Sequence, residues 1–161
     1  MVTVADLQTK PGHLIRRAQQ VAVALFLDEA AECDITPVQY AALVAIAQHA
    51  GLDASRLSTL IAFDRSTLGG VLDRLEKKGL ITRAGAEADR RVKLLAITAA
   101  GRTLLREIEP AVARTQARIL APLSAPEQAQ LVRLLAKMVG GNNESSRAPM
   151  RAAAAEDMLH G

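Results

Sequence analysis

The fifteen residues Asp64-Arg65-Ser66-Thr67-Leu68-Gly69-Gly70-Val71-Leu72-Asp73-Arg74-Leu75-Glu76-Lys77-Lys78 hold the densest set of groups that could do chemistry. Projected as a helix, Leu68, Val71, Leu72 and Leu75 share one face, and Ser66, Gly70, Asp73 and Lys77 lie opposite, flanked by Gly69 and Arg74. Small hydroxyls near the start and cations farther along suit approach to a nucleic acid. Ser66 and Thr67 can exchange hydrogen bonds with base edges or phosphates, and Arg65 or Arg74 can reach guanine or phosphate. Two glycines inside a helix cost about 1 kcal/mol each relative to alanine. Gly69-Gly70 therefore marks close approach of the backbone to a duplex, or else tight packing by a neighbouring helix. A second cluster follows: Arg83, Asp89, Arg90, Arg91 and Lys93. Residues 61–95 carry eight Lys and Arg against five Asp and Glu, an excess equal to the +3 of the whole chain. An arginine-tipped loop suits the minor groove, where negative potential is focused. Taken alone, the same loop reads as a solvated turn with Asp89 paired to an arginine. The candidate nucleic-acid contacts are Arg65, Ser66, Thr67, Gly69, Gly70, Arg74, Lys77, Arg83, Asp89, Arg90, Arg91 and Lys93.

Other chemistries lack their residues. There is no nucleophile–base spacing, no phosphate-cradling loop and no dinucleotide fingerprint. His13, His49 and His160 are far apart, Cys33 is the only cysteine, and no metal-ligand spacing occurs. His49, alone on a helix, reads as structural. Neither an enzyme nor a bound cofactor or metal is expected. Trp is absent and the aromatics are Tyr40, Phe26 and Phe63, too few for a base-stacking platform. The 161 residues are 50% hydrophobic and 23% charged, enough for one cored domain or two tightly joined subdomains. The pI of about 9.4 permits a polyanionic partner without demanding one. No apolar run reaches membrane-spanning length, and Met1 to Lys10 lacks a basic-then-apolar signal pattern. A cytoplasmic protein without a membrane partner is expected.

The flanking elements must hold the two clusters together. Frequent alanine and sparse β-branching favour helix. Apolar residues recur at helical spacing from about Gly12 to Glu32. Thr36-Pro37-Val38-Gln39 is a capping box with proline in the first turn, opening a helix to about Ala50 that Gly51 stops. Asp53 caps a short helix through Leu60 and Ile61, Ala62-Phe63 breaks it, and Asp64 caps the next, which Gly79 ends. The period then changes to two: Leu80 to Arg83 and Val92 to Ala96 read as strands around a polar loop. Thr98 caps a long helix to about Leu120, and Ser124-Ala125-Pro126-Glu127 opens a last one closed by Gly140-Gly141. The fold class is mainly α: a winged helix-turn-helix over residues 36–97 and a helical dimerisation region formed by both chain ends, residues 10–34 and 98–140. Residues 141–161 read as a mobile tail.

Three stretches carry a family resemblance: Leu72-Asp73-Arg74-Leu75-Glu76-Lys77-Lys78-Gly79-Leu80, then Asp89-Arg90-Arg91, then Leu95-Ala96-Ile97-Thr98-Ala99-Ala100-Gly101. The chain resembles the MarR-type winged-helix regulators from about Leu14 to Met138. The resemblance implies that Arg91 enters the minor groove, that Asp89 orients the wing arginines, and that Ser66, Thr67 and Arg74 lie on the DNA-reading helix. The sequence departs from the pattern at Gly69-Gly70, where relatives carry larger polar residues, and in the wing loop, which lacks their proline.

More apolar surface is on offer than a small winged core can cover: Leu14, Ile15, Val21, Leu25, Leu104, Leu105, Ile108, Val112, Leu131, Leu134 and Leu135. A twofold interface would cover it and set two reading helices one DNA turn apart over a pseudo-palindrome. The expected partners are double-stranded DNA, a second copy of the chain and a small-molecule effector. By resemblance the effector lies between the dimerisation helices and the winged core, with His13, Arg16, Arg17, Phe26 and Tyr40 as candidates. The run Pro11 to Arg17 with Ala24 to Leu27 resembles the subgroup that answers to aromatic acids or their CoA thioesters. The function expected is repression released by such an acid. Two alternatives stand beside it: oxidation sensing through Cys33, and a winged helix used only for protein contacts.

Overall fold

The computed structural model describes residues 3–86 and 91–151. In chain order the elements are α1 (Val4–Gln8), α2 (Pro11–Glu29), a 3₁₀ turn (Ala31–Cys33), α3 (Pro37–Gln48), α4 (Ala54–Leu60), α5 (Arg65–Lys77), β1 (Ile81–Gly85), β2 (Lys93–Ile97), α6 (Ala99–Leu120), α7 (Ala125–Gly141) and a second 3₁₀ turn (Asn143–Ser145). The caps sit where the side-chain chemistry puts them. Thr36 and Gln39 bond each other's backbone N–H reciprocally, at 3.3 and 2.9 Å. Asp53 receives the N–H groups of Ser55 and Arg56, and Asp64 receives that of Ser66.

The helix–turn–helix of α4 and α5 packs on α3 through Leu43, Leu57, Leu68, Leu72 and Leu75, all fully buried. β1 and β2 pair antiparallel, Ile81 opposite Ile97 and Gly85 opposite Lys93. Leu95 also donates to the carbonyl of Leu52 at 2.7 Å, which ties the hairpin to the loop before α4. One close approach fixes the hairpin against α6. A Cβ on Gly101 would stand 2.3 Å from the carbonyl oxygen of Leu80 and 2.8 Å from Ile97. Thr98 donates from its hydroxyl to Gly79 and from its N–H to Leu80, while its Oγ1 caps α6 by accepting from Gly101. The Thr98-x-x-Gly101 pattern is thus the joint between wing and long helix.

The structure departs from the sequence reading in four places. The segment before α2 forms α1, closed by a reciprocal Thr3–Asp6 box. The first long helix ends at Glu29, not Glu32, and a 3₁₀ turn follows. Ile108 is fully buried inside the protomer, and Leu104, Leu105 and Val112 pack against the same core, so the first half of α6 does not offer the free apolar surface expected of it. Of the tail read as mobile, residues 142–151 make contacts, the Arg151 N–H donating to Thr59 on α4 and Asn143 exchanging hydrogen bonds with the backbone of Met150, and residues 152–161 lie outside the described residues. Free apolar surface remains on α2 and α7. α7 buries no residue at all, and Val132, Leu134, Leu135, Met138 and Val139 stand exposed along it. Leu14, Ile15, Val21, Val23 and Leu27 do the same on α2.

Candidate nucleic-acid interface

The four leucine and valine side chains of α5 are sunk in the core, which turns the rest of the helix outward. Arg65, Ser66, Thr67, Gly69, Gly70, Arg74 and Lys77 are all exposed. A Cβ at Gly69 or Gly70 would meet nothing within 4 Å. Packing by a neighbouring helix of the same protomer is therefore not the reason for these glycines.

The hydroxyls at the start of α5 already have uses for their protons. Ser66 Oγ donates to Asp64 at 2.7 Å, and Thr67 Oγ1 donates to the Asp64 carbonyl at 3.0 Å. Each oxygen keeps its lone pairs, so this edge of the helix presents acceptors, matched to amino groups of adenine or cytosine. The hydrogen bonds from Ser66, side chain first and backbone second, hold the Asp64 carboxyl below the usual aspartate range.

Arg83 links the wing to the helix. Arg83 Nε donates to Glu76 at 2.8 Å, and its Nη2 donates to Asp73 at 2.6 Å. Those two partners, Glu76 first, raise the guanidinium pKa further. Arg83 therefore spans wing and helix from within the protein. It also neutralises the two carboxylates on that side of α5. Arg91 and Lys93 are exposed at the start of the second strand. Together with Arg65, Gly69, Asp53 and Ser55 they line a groove of about 310 Å³ between α4, α5 and the wing. Asp89 and Arg90 lie outside the described residues.

Within one protomer the five candidate effector contacts fall into two groups, one near the start of α2 and one at its end with α3. His13 is half-buried, and Arg16 and Arg17 are exposed near the start of α2, with Arg17 donating to Gln20 at 2.9 Å. Phe26 is in the core, its ring centroid 6.0 Å from that of Tyr40 at a 48° tilt. Thirteen residues of helix, about 20 Å of rise, separate His13 from Phe26. A cleft that periodicity could not show lies elsewhere, where the end of α2, the start of α3 and the end of α5 meet. Burial pushes the Cys33 thiol up, and Glu107 and Glu32 add to it. A thiol kept protonated is a poor peroxide sensor. Among the described residues, no cluster of three or more His, Cys, Asp or Glu could hold a metal, and no helix is long and apolar enough to cross a membrane.

Known proteins share this fold. A family model described as the MarR family matches residues 35–93. The PcaV transcriptional regulator of Streptomyces coelicolor, solved in complex with its natural ligand, is 36% identical with a TM-score of 0.78, covering 87% of this chain and 98% of that one. BpsR of Bordetella bronchiseptica, whose DNA binding is regulated by 6-hydroxynicotinic acid, is 30% identical with a TM-score of 0.75, over 81% and 94%. The transcriptional repressor CouR, bound to a 23-mer DNA duplex, is 27% identical with a TM-score of 0.77, over 86% and 99%.

Proposed function

The chain belongs to the MarR family, and from that premise we propose that it is a cytoplasmic, homodimeric transcriptional repressor released from DNA by a small aromatic carboxylic acid or its CoA thioester. The observation that carries the DNA half is the exposed face of α5. It is free of side chains at Gly69 and Gly70, edged by Arg65, Arg74 and Lys77, and braced by Arg83 against a hairpin bearing Arg91 and Lys93. α5 enters the major groove at its glycine face, and the wing reaches the flanking minor groove. With two small gaps in place of base-reading side chains, DNA shape carries part of the specificity.

The apolar faces of α2 and α7 support the dimer. Ten large apolar side chains there are exposed in a single protomer, and burying them between two copies removes an aggregation liability. Residues 10–34 and the α7 end of residues 98–140 form the dimerisation region in this reading, with residues 36–97 as the DNA-binding domain.

Support for the acid response comes from BpsR, whose DNA binding is regulated by 6-hydroxynicotinic acid, and from PcaV, solved in complex with its natural ligand. Titration of a duplex, selected by the protein from a random library, across a salt series tests the DNA reading. The logarithm of affinity should fall linearly with the logarithm of salt concentration. A flat salt response, or no selected sequence at all, would leave only the protein-contact alternative.

A further inference from the structure

We propose that the loop of residues 143–151 belongs to the DNA-binding surface, and that Arg147 within it takes a backbone phosphate beside the start of α5. This rests on the DNA-binding reading above and adds a contact outside both the reading helix and the wing.

The chain beyond α7 is shaped by its own hydrogen bonds. Asn142 Nδ2 donates to the Met138 carbonyl at 2.8 Å, at the end of α7. Asn143 and Met150 then close a loop. Asn143 Nδ2 donates to the Met150 carbonyl at 3.2 Å, and the Met150 N–H donates to Asn143 Oδ1 at 2.8 Å. Inside the loop the Ser146 hydroxyl oxygen accepts from the Ala148 N–H at 3.1 Å, and Glu144 accepts from Arg151 at 3.0 Å.

The closed loop is seated on the helix–turn–helix. The Arg151 N–H donates to the Thr59 carbonyl near the end of α4 at 3.1 Å. Ala148 and Met150 share a cavity of about 360 Å³ with Ala62, and Ile15 and Met138 line it as well. Ala62 lies in the turn between α4 and α5, where its left-handed backbone, φ 49°, bends the chain into the reading helix. The loop therefore rests against the turn from which α5 starts.

That seat brings Arg147 to the first turn of α5. Its side chain is exposed, and it makes no ion pair with a described residue, whereas Arg151 is held by Glu144. It lies near enough to Asp64, the cap of α5, for its charge to be felt there: the hydrogen bonds from Ser66 lower the Asp64 carboxyl most, and Arg147 adds to them. Arg65, the next residue, is exposed beside it. The N-terminal turn of a reading helix points into the major groove, whose edges are lined by phosphates. A cation beside that turn is placed to meet one of them. A loop fastened at both ends also lowers the cost of ordering its arginine on binding.

The test is fluorescence anisotropy of the full chain on its selected duplex across a salt series. Arg147→Ala should weaken binding about tenfold near about 0.1 M salt and reduce the salt slope by about one for each protomer bound. Arg147→Lys keeps the charge and should recover most of the affinity. Arg133→Ala, at an exposed arginine of α7, removes the same charge from the chain and should leave affinity and slope near those of the wild type. Wild-type behaviour of Arg147→Ala, no recovery in Arg147→Lys, or an equal loss in Arg133→Ala would overturn the contact while the DNA-binding reading stands. If the wild type binds no duplex, that reading fails and the contact falls with it.

Discussion

Arg83 on the first wing strand reaches back to Asp73 on the reading helix, with 2.6 Å between Nη2 and Oδ1, and shares its other edge with Glu76. This side chain, a nucleic-acid candidate in the sequence, joins β1 to α5, the two elements proposed to meet DNA, and fixes the angle between them. Arg83→Met should therefore weaken duplex binding by about tenfold, because both elements lose registration. Stability should change by no more than about 1 kcal/mol, since Asp73 and Glu76 are substantially exposed. Arg83→Lys should recover only part of the affinity, because an ammonium cannot fork between two carboxylates as a guanidinium does. Fluorescence anisotropy with a labelled duplex reads all three. Wild-type affinity in Arg83→Met would refute the brace.

Gly69 and Gly70 make opposite demands on stability and on binding. Open space surrounds both, so alanine fits at either without a clash and removes the glycine cost. Each of Gly69→Ala and Gly70→Ala should stabilise the fold by about 1 kcal/mol, a rise in Tm of about 2–4 °C. At the same time each should weaken DNA binding, because the added methyl stands between helix backbone and groove. Thermal melts and anisotropy on the same samples decide it. More stable variants that keep full affinity would mean that the backbone does not approach the duplex closely.

Local signals were legible in the chain where a side chain acts on its own neighbourhood. Thr36 and Gln39, Asp53, Asp64, Thr98 and Gly79 mark their helix ends because a cap needs only residues two or three apart. The change of period at Leu80 marks the wing because alternation is also local. The same capping logic at Thr3 and Asp6 was present but followed by too short an apolar pattern to stand out as α1. Pairings across the fold leave no such trace. Lys78 meets Asp34 from 44 residues away, and Arg151 meets Thr59 from farther still. Periodicity placed Ile108 on an apolar stripe, yet only packing reveals that the winged core covers it. For the same reason the cleft that Gln39 and Lys78 line left no trace in the sequence, since its walls come from a junction of three elements that are remote in sequence.

Gly101 is tightly enclosed. Its φ is not unusual, but a methyl there would press on the Leu80 carbonyl and the Ile97 side chain. The carbonyl is backbone and also accepts the Thr98 N–H, so it cannot retreat cheaply. Gly101→Ala should destabilise the protein by about 1–3 kcal/mol through forced separation of α6 from the wing. Urea titration measures this. A neutral result would require that joint to be looser than its hydrogen bonds indicate.

Glu29 ties α2 to α6 by accepting from Arg114 at 2.7 Å and from Arg118 at 2.8 Å, while Arg118 also pairs with Asp28. These partners, Arg114 first, hold its carboxyl below the usual glutamate range. A folded-state pKa below the unfolded one means that the unfolded chain takes up the proton first. The pairing therefore stabilises the protein above the unfolded value and loses its effect as pH falls through the folded one. Urea midpoints followed from about pH 7 down to about pH 3 should decline, and Glu29→Gln should lower the midpoint at neutral pH but decline less steeply. Raising salt should shrink the neutral-pH difference between the two proteins, because Arg114 and Arg118 are open to solvent. Parallel declines in wild type and Glu29→Gln would show that acid acts on the fold through other carboxylates, and that α2 stays on α6 by apolar packing alone.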